Sequence, residues 1–189
     1  MRVQILLLLA LLAPVMQACA PVVAGGAVVG GAVVASDRRT FGTYVEDQGI
    51  EIKAANRISE SLGDKVHINV TSYNRTVLIT GEAPSEESRQ EVGRIVRGIP
   101  NVRGVVNEVA IAGPSSFTAR SNDTFITSKV KTRFLEANKF QPTHVKVVTE
   151  GGVVYLLGIV TRQEADDATE LASTTSDVQK VVKLFEYLD

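Results

Sequence analysis

The chain has 189 residues, enough for one or two domains, and a formal net charge of -1, which excludes a nucleic-acid binder that works through a strong positive field. Trp is absent and aromatics make up 5%, so stacking platforms for single strands are hard to build. The single cysteine, Cys19, excludes an intrachain disulfide and a thiolate metal cluster.

Arg2 and the apolar run Ile5–Ala13 have the proportions of an export signal. The run ends in Pro14-Val15-Met16-Gln17-Ala18-Cys19, with a small residue ahead of the only cysteine. This resembles a bacterial lipobox, although Met16 stands where Leu is usual. The resemblance implies a signal peptide over 1–18 and a diacylglyceryl group on Cys19, where two or more acyl chains anchor stably and one does not. Residues 20–35 carry no charge and are rich in Gly, Ala and Val. They read as a tether (19–43 with the lipidated cysteine). A single membrane span over 3–35 is the alternative, which Pro14, Pro21 and the weakly apolar glycines disfavour. Asp37-Arg38-Arg39 marks a change of composition, and folded material is expected from Phe41–Val45.

From there the chain is one unit written twice, offset by 76 to 77 residues. Asp47 and Ile50 meet Asp123 and Ile126; Lys53 and Arg57 meet Lys129 and Arg133; His67 meets His144. Val77, Ile79 and Gly81 meet Val154, Leu156 and Gly158, and Val105 and Val106 meet Val181 and Val182. The predicted order in each copy is helix, strand, strand, helix, strand. In the second copy Asn122 or Asp123 is expected to cap a helix bearing Ile126, Val130 and Phe134 at helical spacing. Val145, Val147 and Thr149 alternate as in a strand, Gly151-Gly152 turns the chain, and Val154 and Leu156 return. Thr161 and Glu164 have the spacing of a capping box, and Val181, Phe185 and Tyr187 share a face of the last strand. The first copy turns at Asn74-Arg75 and opens its second helix at Pro84-Ser85. The fold class is therefore α+β, each copy a three-stranded mixed sheet with two helices on one face. The copies span 44–112 and 122–189, joined by a linker over 113–121.

The helix from Asp123, the Val-x-Val, hairpin and Val-x-Leu-x-Gly run ending in Gly158, and Asp177-Val178-x-x-Val181 resemble the BON domain. A lipobox followed by two such units resembles the dual-BON outer-membrane lipoproteins. That resemblance implies a lipid-anchored protein of the outer membrane facing the periplasm, tied to envelope integrity and division, that binds anionic phospholipid. Ala20 after Cys19, in place of the Asp that retains enterobacterial lipoproteins at the inner membrane, points the same way.

Catalytic motifs are missing: there is no Gly-x-Ser-x-Gly elbow and no phosphate loop. His67 and His144 lack the spaced acidic partners a metal needs and read as structural residues ahead of strands. Glu86-Glu87 and Asp166-Asp167 suit helix starts better than catalysis. No enzyme activity, cofactor or metal is expected.

Differences between the copies are where function can lie. Residues 46–64 hold Glu46, Asp47, Glu51, Glu60 and Asp64 against Lys53 and Arg57, whereas 123–139 hold Lys129, Lys131, Arg133 and Lys139 against Asp123 and Glu136. Phe125 replaces Gly49. An aromatic beside a basic helix suits an anionic lipid surface, where each cation contributes about 1 kcal/mol; the same residues also fit a Phe packed on the core or on the first copy, with solvated lysines. Lys129 and Arg133 have counterparts in the first copy; Phe125 and Lys131 do not. The resemblance assigns membrane contact to the first helix of the second module, hence to Phe125, Ser128, Lys129, Lys131, Thr132 and Arg133. The outer sheet face changes from Thr76, Leu78 and Thr80 to Val153, Tyr155 and Leu157, with Leu184 and Leu188 beside them. So apolar a face is expected to be covered. The helices or connector of the first copy are the expected cover, with a partner protein as the other candidate. An adaptor that docks an outer-membrane assembly complex or a regulator of a cell-wall enzyme is the competing functional reading.

Overall fold

The computed structural model describes residues 37–188. The export signal, Cys19 and the small-residue tether lie outside the described residues. The first copy consists of α1 (Phe41–Leu62), β1 (His67–Tyr73), β2 (Thr76–Ala83), α2 (Glu86–Arg97), β3 (Gly104–Asn107) and a short β4 (Ala110–Ile111). The second consists of α3 (Phe117–Ala137), β5 (Val145–Glu150), β6 (Val153–Val160), α4 (Arg162–Ser173) and β7 (Lys180–Tyr187).

Each sheet has a central strand paired antiparallel on one side and parallel on the other, β1-β2-β3 and β5-β6-β7. The registers repeat: Val77 faces Val105 across the parallel pair, and Val154 faces Val181. β7 runs unbroken beside β6, whereas the first copy is interrupted after Asn107 and resumes as β4, also parallel to β2. Gly81 and Gly158 stand where strands approach too closely for a side chain. A Cβ would come 2.0 Å from the His67 carbonyl oxygen in one copy and 2.5 Å from that of His144 in the other.

Both hairpins turn through residues at positive φ, Asn74-Arg75 and Gly151-Gly152, as two-residue hairpin loops require. In each, a buried aspartate of the first helix holds the turn. Asp47 accepts the N–H groups of Asn74 and Arg75 at 2.8 and 2.7 Å; Asp123 accepts those of Gly151 and Gly152 at 2.9 and 2.8 Å. This corrects the expected cap. Asp123 lies inside α3, whose N-cap is Ser116, and α3 takes up residues 117–121 of the expected linker. An aspartate ahead of an apolar run has the pattern of a cap, but its carboxylate here serves turn amides 28 and 29 residues away. The capping box of Thr161 and Glu164 is present at the start of α4.

Two equivalent cores lie between helices and sheet. Ile50, Ile58, Val77, Ile79, Val92 and Val96 are buried in one; Ile126, Phe134, Val154, Leu156, Ala168 and Ala172 take the same places in the other. Alternate residues of the central strands point the opposite way, as strand geometry demands. Leu78 with Tyr73, and Tyr155 with Leu157, form a third buried cluster between the two sheets. The copies therefore meet sheet to sheet, giving the layers helix, sheet, sheet, helix. The expected cover of the second sheet was helix or connector; the actual cover is the first sheet. Two twisted sheets can stack face to face along their inner surfaces, a broader contact than a single helix offers. Leu188 lies beyond β7 and is exposed, so it adds nothing to this face.

Polar groups border the seam. Asn69 donates to Glu150, Asn74 to Glu186, and Lys146 to Glu51 at 3.1 Å. Arg38 forks onto Glu164 at 2.6 and 2.9 Å and donates to the Ile159 carbonyl. Arg39 pairs with buried Asp47 at 2.8 Å and lies 4.1 Å from the centre of the Tyr73 ring.

Candidate functional site

One face of α3 carries Phe125, Ser128, Lys129, Thr132 and Arg133, spaced as neighbours on a helix. Thr174, Thr175 and Ser176, which follow α4, face them across a groove of about 380 Å³. Phe125 stands at its mouth, 58% exposed. The Lys129 ammonium lies 4.4 Å from the centre of that ring, within cation–π range. It also donates to Ser176 at 3.0 Å and pairs with Asp177 at 2.6 Å. The Lys129 hydrogen bond first, and its charge second, hold the Asp177 carboxyl below the usual carboxylate range. Arg133 donates to the Leu171 carbonyl at 2.7 Å and to the hydroxyls of Thr174 and Thr175 at 2.9 and 3.0 Å.

The groove thus brings together five of the six residues expected on this helix. Lys131 does not line it: it is exposed, on the same outer stripe of α3 as Thr124 and Leu135. The exposed ring also separates Phe125 from the core, where Ile126, Val130 and Phe134 of the same helix are buried. Thr174, Thr175, Ser176 and Asp177 were not legible as site residues. They align with Gly98-Ile99-Pro100-Asn101, so a comparison of the copies carried to this loop would have found three new hydroxyls and an acid.

The remaining expected residues lie elsewhere. Val153, Tyr155, Leu157 and Leu184 belong to the cluster between the sheets. Burial first, then the charges of Glu108 and Glu150, push the Tyr155 hydroxyl up to about 12. His67 meets Glu82 at 2.9 Å, and His144 meets Glu164 at 3.4 Å. Burial alone would raise the Glu164 carboxyl. The Arg38 hydrogen bond, the Thr161 amide, the Arg38 charge and His144 outweigh it and bring Glu164 down to about 2. Among the described residues, no three or more His, Cys, Asp or Glu side chains gather as a metal would need, and no helix is long and apolar enough to cross a membrane.

Chemically, the groove offers an ammonium, a guanidinium and several hydroxyls beside an exposed aromatic ring. This suits an oxyanion attached to something apolar; among the groove's residues no hydroxyl is paired with a histidine as an activated nucleophile would be.

Residues 47–113 and 122–189 each match the BON domain. The chain is 36% identical to "Outer membrane lipoprotein DolP" of Haemophilus influenzae over 92% of its own length and 91% of the relative's. It is 32% identical to "21 kDa hemolysin" of Actinobacillus pleuropneumoniae over 80% of this chain and 79% of that one. It is 28% identical to "Osmotically-inducible protein Y" of Escherichia coli over 81% and 78%. With the repeat, the paired mixed sheets and these similarities in hand, the chain belongs to the BON-domain family, as a member with two copies of the domain.

Proposed function

We propose that this protein is a non-catalytic outer-membrane lipoprotein, anchored through Cys19 and facing the periplasm, which binds anionic phospholipid through the α3 groove. In this reading residues 1–18 are the signal peptide, 19–43 the lipidated cysteine and tether, and the two modules the working body. Its role is support of envelope integrity, including at the division site. The relative named as an outer-membrane lipoprotein matches over nearly the whole chain, which supports the location and the anchor.

The observation that carries the lipid assignment is Phe125, held out of the core at the mouth of a groove that also presents Lys129, Arg133 and hydroxyls. A phosphodiester headgroup would meet the cations and hydroxyls while the ring enters the headgroup boundary. Lys131, exposed on the outer stripe of the same helix, adds long-range attraction. Each contact is weak alone, and a lipid anchor makes them effective by keeping the groove at the membrane. The adaptor reading loses its sheet face, because the first module occupies it; the basic helix α3 is the docking surface that remains to it.

Co-sedimentation with vesicles of increasing phosphatidylglycerol content tests the site. Phe125→Ala is expected to weaken binding about tenfold and Lys131→Glu about fivefold or more. Wild-type binding by both variants would remove the assignment. Arg133 is a poor probe, because it also holds the loop after α4.

A further inference from the structure

The first module carries a groove of its own, between α2 and the end of β3. It measures about 360 Å³ and is lined by Arg89, Gln90, Arg94, Arg97, Asn107 and Glu86. Gly93 opens its floor: a Cβ there would come 3.0 Å from Asn107 Nδ2 and 3.4 Å from Arg97 Nη1. Two of the arginines are already matched, Arg89 with Glu86 at 3.4 Å and Arg94 with Glu91. Glu86 also accepts from Gln90 at 3.0 Å, so the one carboxylate in the groove is engaged on both oxygens. Among the described residues Arg97 has no carboxylate partner and is exposed.

Basic residues in a last turn favour the helix dipole, and this alone would be a sufficient reason for Arg94 and Arg97. The second module argues against that reason. At the equivalent positions α4 has Ala165 for Arg89, Thr169 for Gly93, Glu170 for Arg94 and Ser173 for Arg97, with no basic residue in its last turn. The same helix thus closes the same fold without one arginine of the set. Three guanidinium groups around an open floor are a feature of the first module alone, and their charge is in surplus at Arg97.

We infer that the α2 groove of the first module is a second anion site, which takes a phosphate group through Arg97 with Arg89 and Arg94 beside it. Planar guanidinium forks match the oxygens of phosphate, and Arg is favoured over Lys where such matching matters. The phosphate belongs either to a lipid headgroup or to a soluble phosphate ester. The inference does not depend on the α3 groove.

The test uses the full chain carrying Cys19→Ser and follows the arginine Nε–H signals by NMR while inorganic phosphate is added. Shifts are expected at Arg97 and Arg89. Arg97→Ser and Gly93→Thr, which install the residues of the second module, are each expected to weaken phosphate binding about tenfold. An unchanged circular dichroism melt certifies the fold of each variant. A parallel arm measures phosphatidylglycerol vesicle binding in a Phe125→Ala background. If Arg97→Ser lowers both phosphate and vesicle binding, the site takes a headgroup. If it lowers phosphate binding alone, the site takes a soluble ester. Phosphate shifts centred elsewhere, or unchanged in both variants, overturn the inference.

Discussion

The loop after the second helix separates the two modules more sharply than anything in their sheets. In the first module it reads Gly98-Ile99-Pro100-Asn101; Ile99 is buried in the core, and Arg57 of the first helix donates to the Gly98 carbonyl. In the second it reads Thr174-Thr175-Ser176-Asp177, and Arg133 finds the Leu171 carbonyl together with two hydroxyls. The anchoring arginine is common to both and is needed to hold helix against loop. The hydroxyls, the acid and the exposed Phe125 are not. At the position of Phe125 the first module has Gly49, where a Cβ would meet nothing within 4 Å. Space there places no demand on the fold, so an aromatic ring in that place is free to serve a surface.

The largest expected difference between the modules lies in their turn-holding aspartates. Asp47→Ala removes the partner of a buried ion pair with Arg39 as well as two turn hydrogen bonds, and should destabilise by about 3–5 kcal/mol in urea unfolding. Asp123→Ala leaves only turn amides unmet, and about 1–3 kcal/mol is expected. Equal losses would break the distinction.

Acid sensitivity should reside in the second module. Glu164 sits at about 2, well below its ordinary 4.5, so the stability it contributes is complete above that ordinary value and is lost as pH falls towards 2. Glu164→Gln should flatten the fall in thermal stability across that window, and amide exchange should report the change first in α4 and around Arg38.

A smaller effect is expected at the groove. Asp177 competes for Lys129, whereas the first module has the uncharged Asn101 at that place. Asp177→Asn should tighten binding to phosphatidylglycerol vesicles about two- to fivefold. Weaker binding would mean that Asp177 organises the groove instead of competing for it.

The smallest effect concerns the shared seam. Tyr155 is pushed up to about 12 from 10.0, so the stability linked to it is intact below 10 and is lost as pH rises through 12. An absorbance titration should show a tyrosine step near 12 that disappears in Tyr155→Phe.

The repeat was readable because the same backbone demands recur at a fixed offset. Gly81 and Gly158 answer the same close approach, and Val77 and Val154 the same register. The helix starts were less readable. Asp123 has the side chain of a cap, and only the position of the hairpin reveals that its carboxylate is used across the fold. The partner of the second sheet was also hidden. Leu78 alternates with Thr76 and Thr80, a pattern that reads as half-solvated, yet Leu78 and Thr80 are both buried once Tyr73 and the second sheet close over them. The groove was half readable: helical spacing groups Phe125 with Lys129 and Arg133, but the opposing hydroxyls come from a loop some 40 residues later.

The neighbouring arginines at the start of the described chain have a mechanical meaning. Arg38 grips the second module and Arg39 the first. Tension arriving along the backbone at residue 38 therefore meets the second module through Glu164 before it reaches Arg39 and the Asp47 carboxylate of α1. A pulled molecule should yield first by releasing Glu164, with the sheets still stacked.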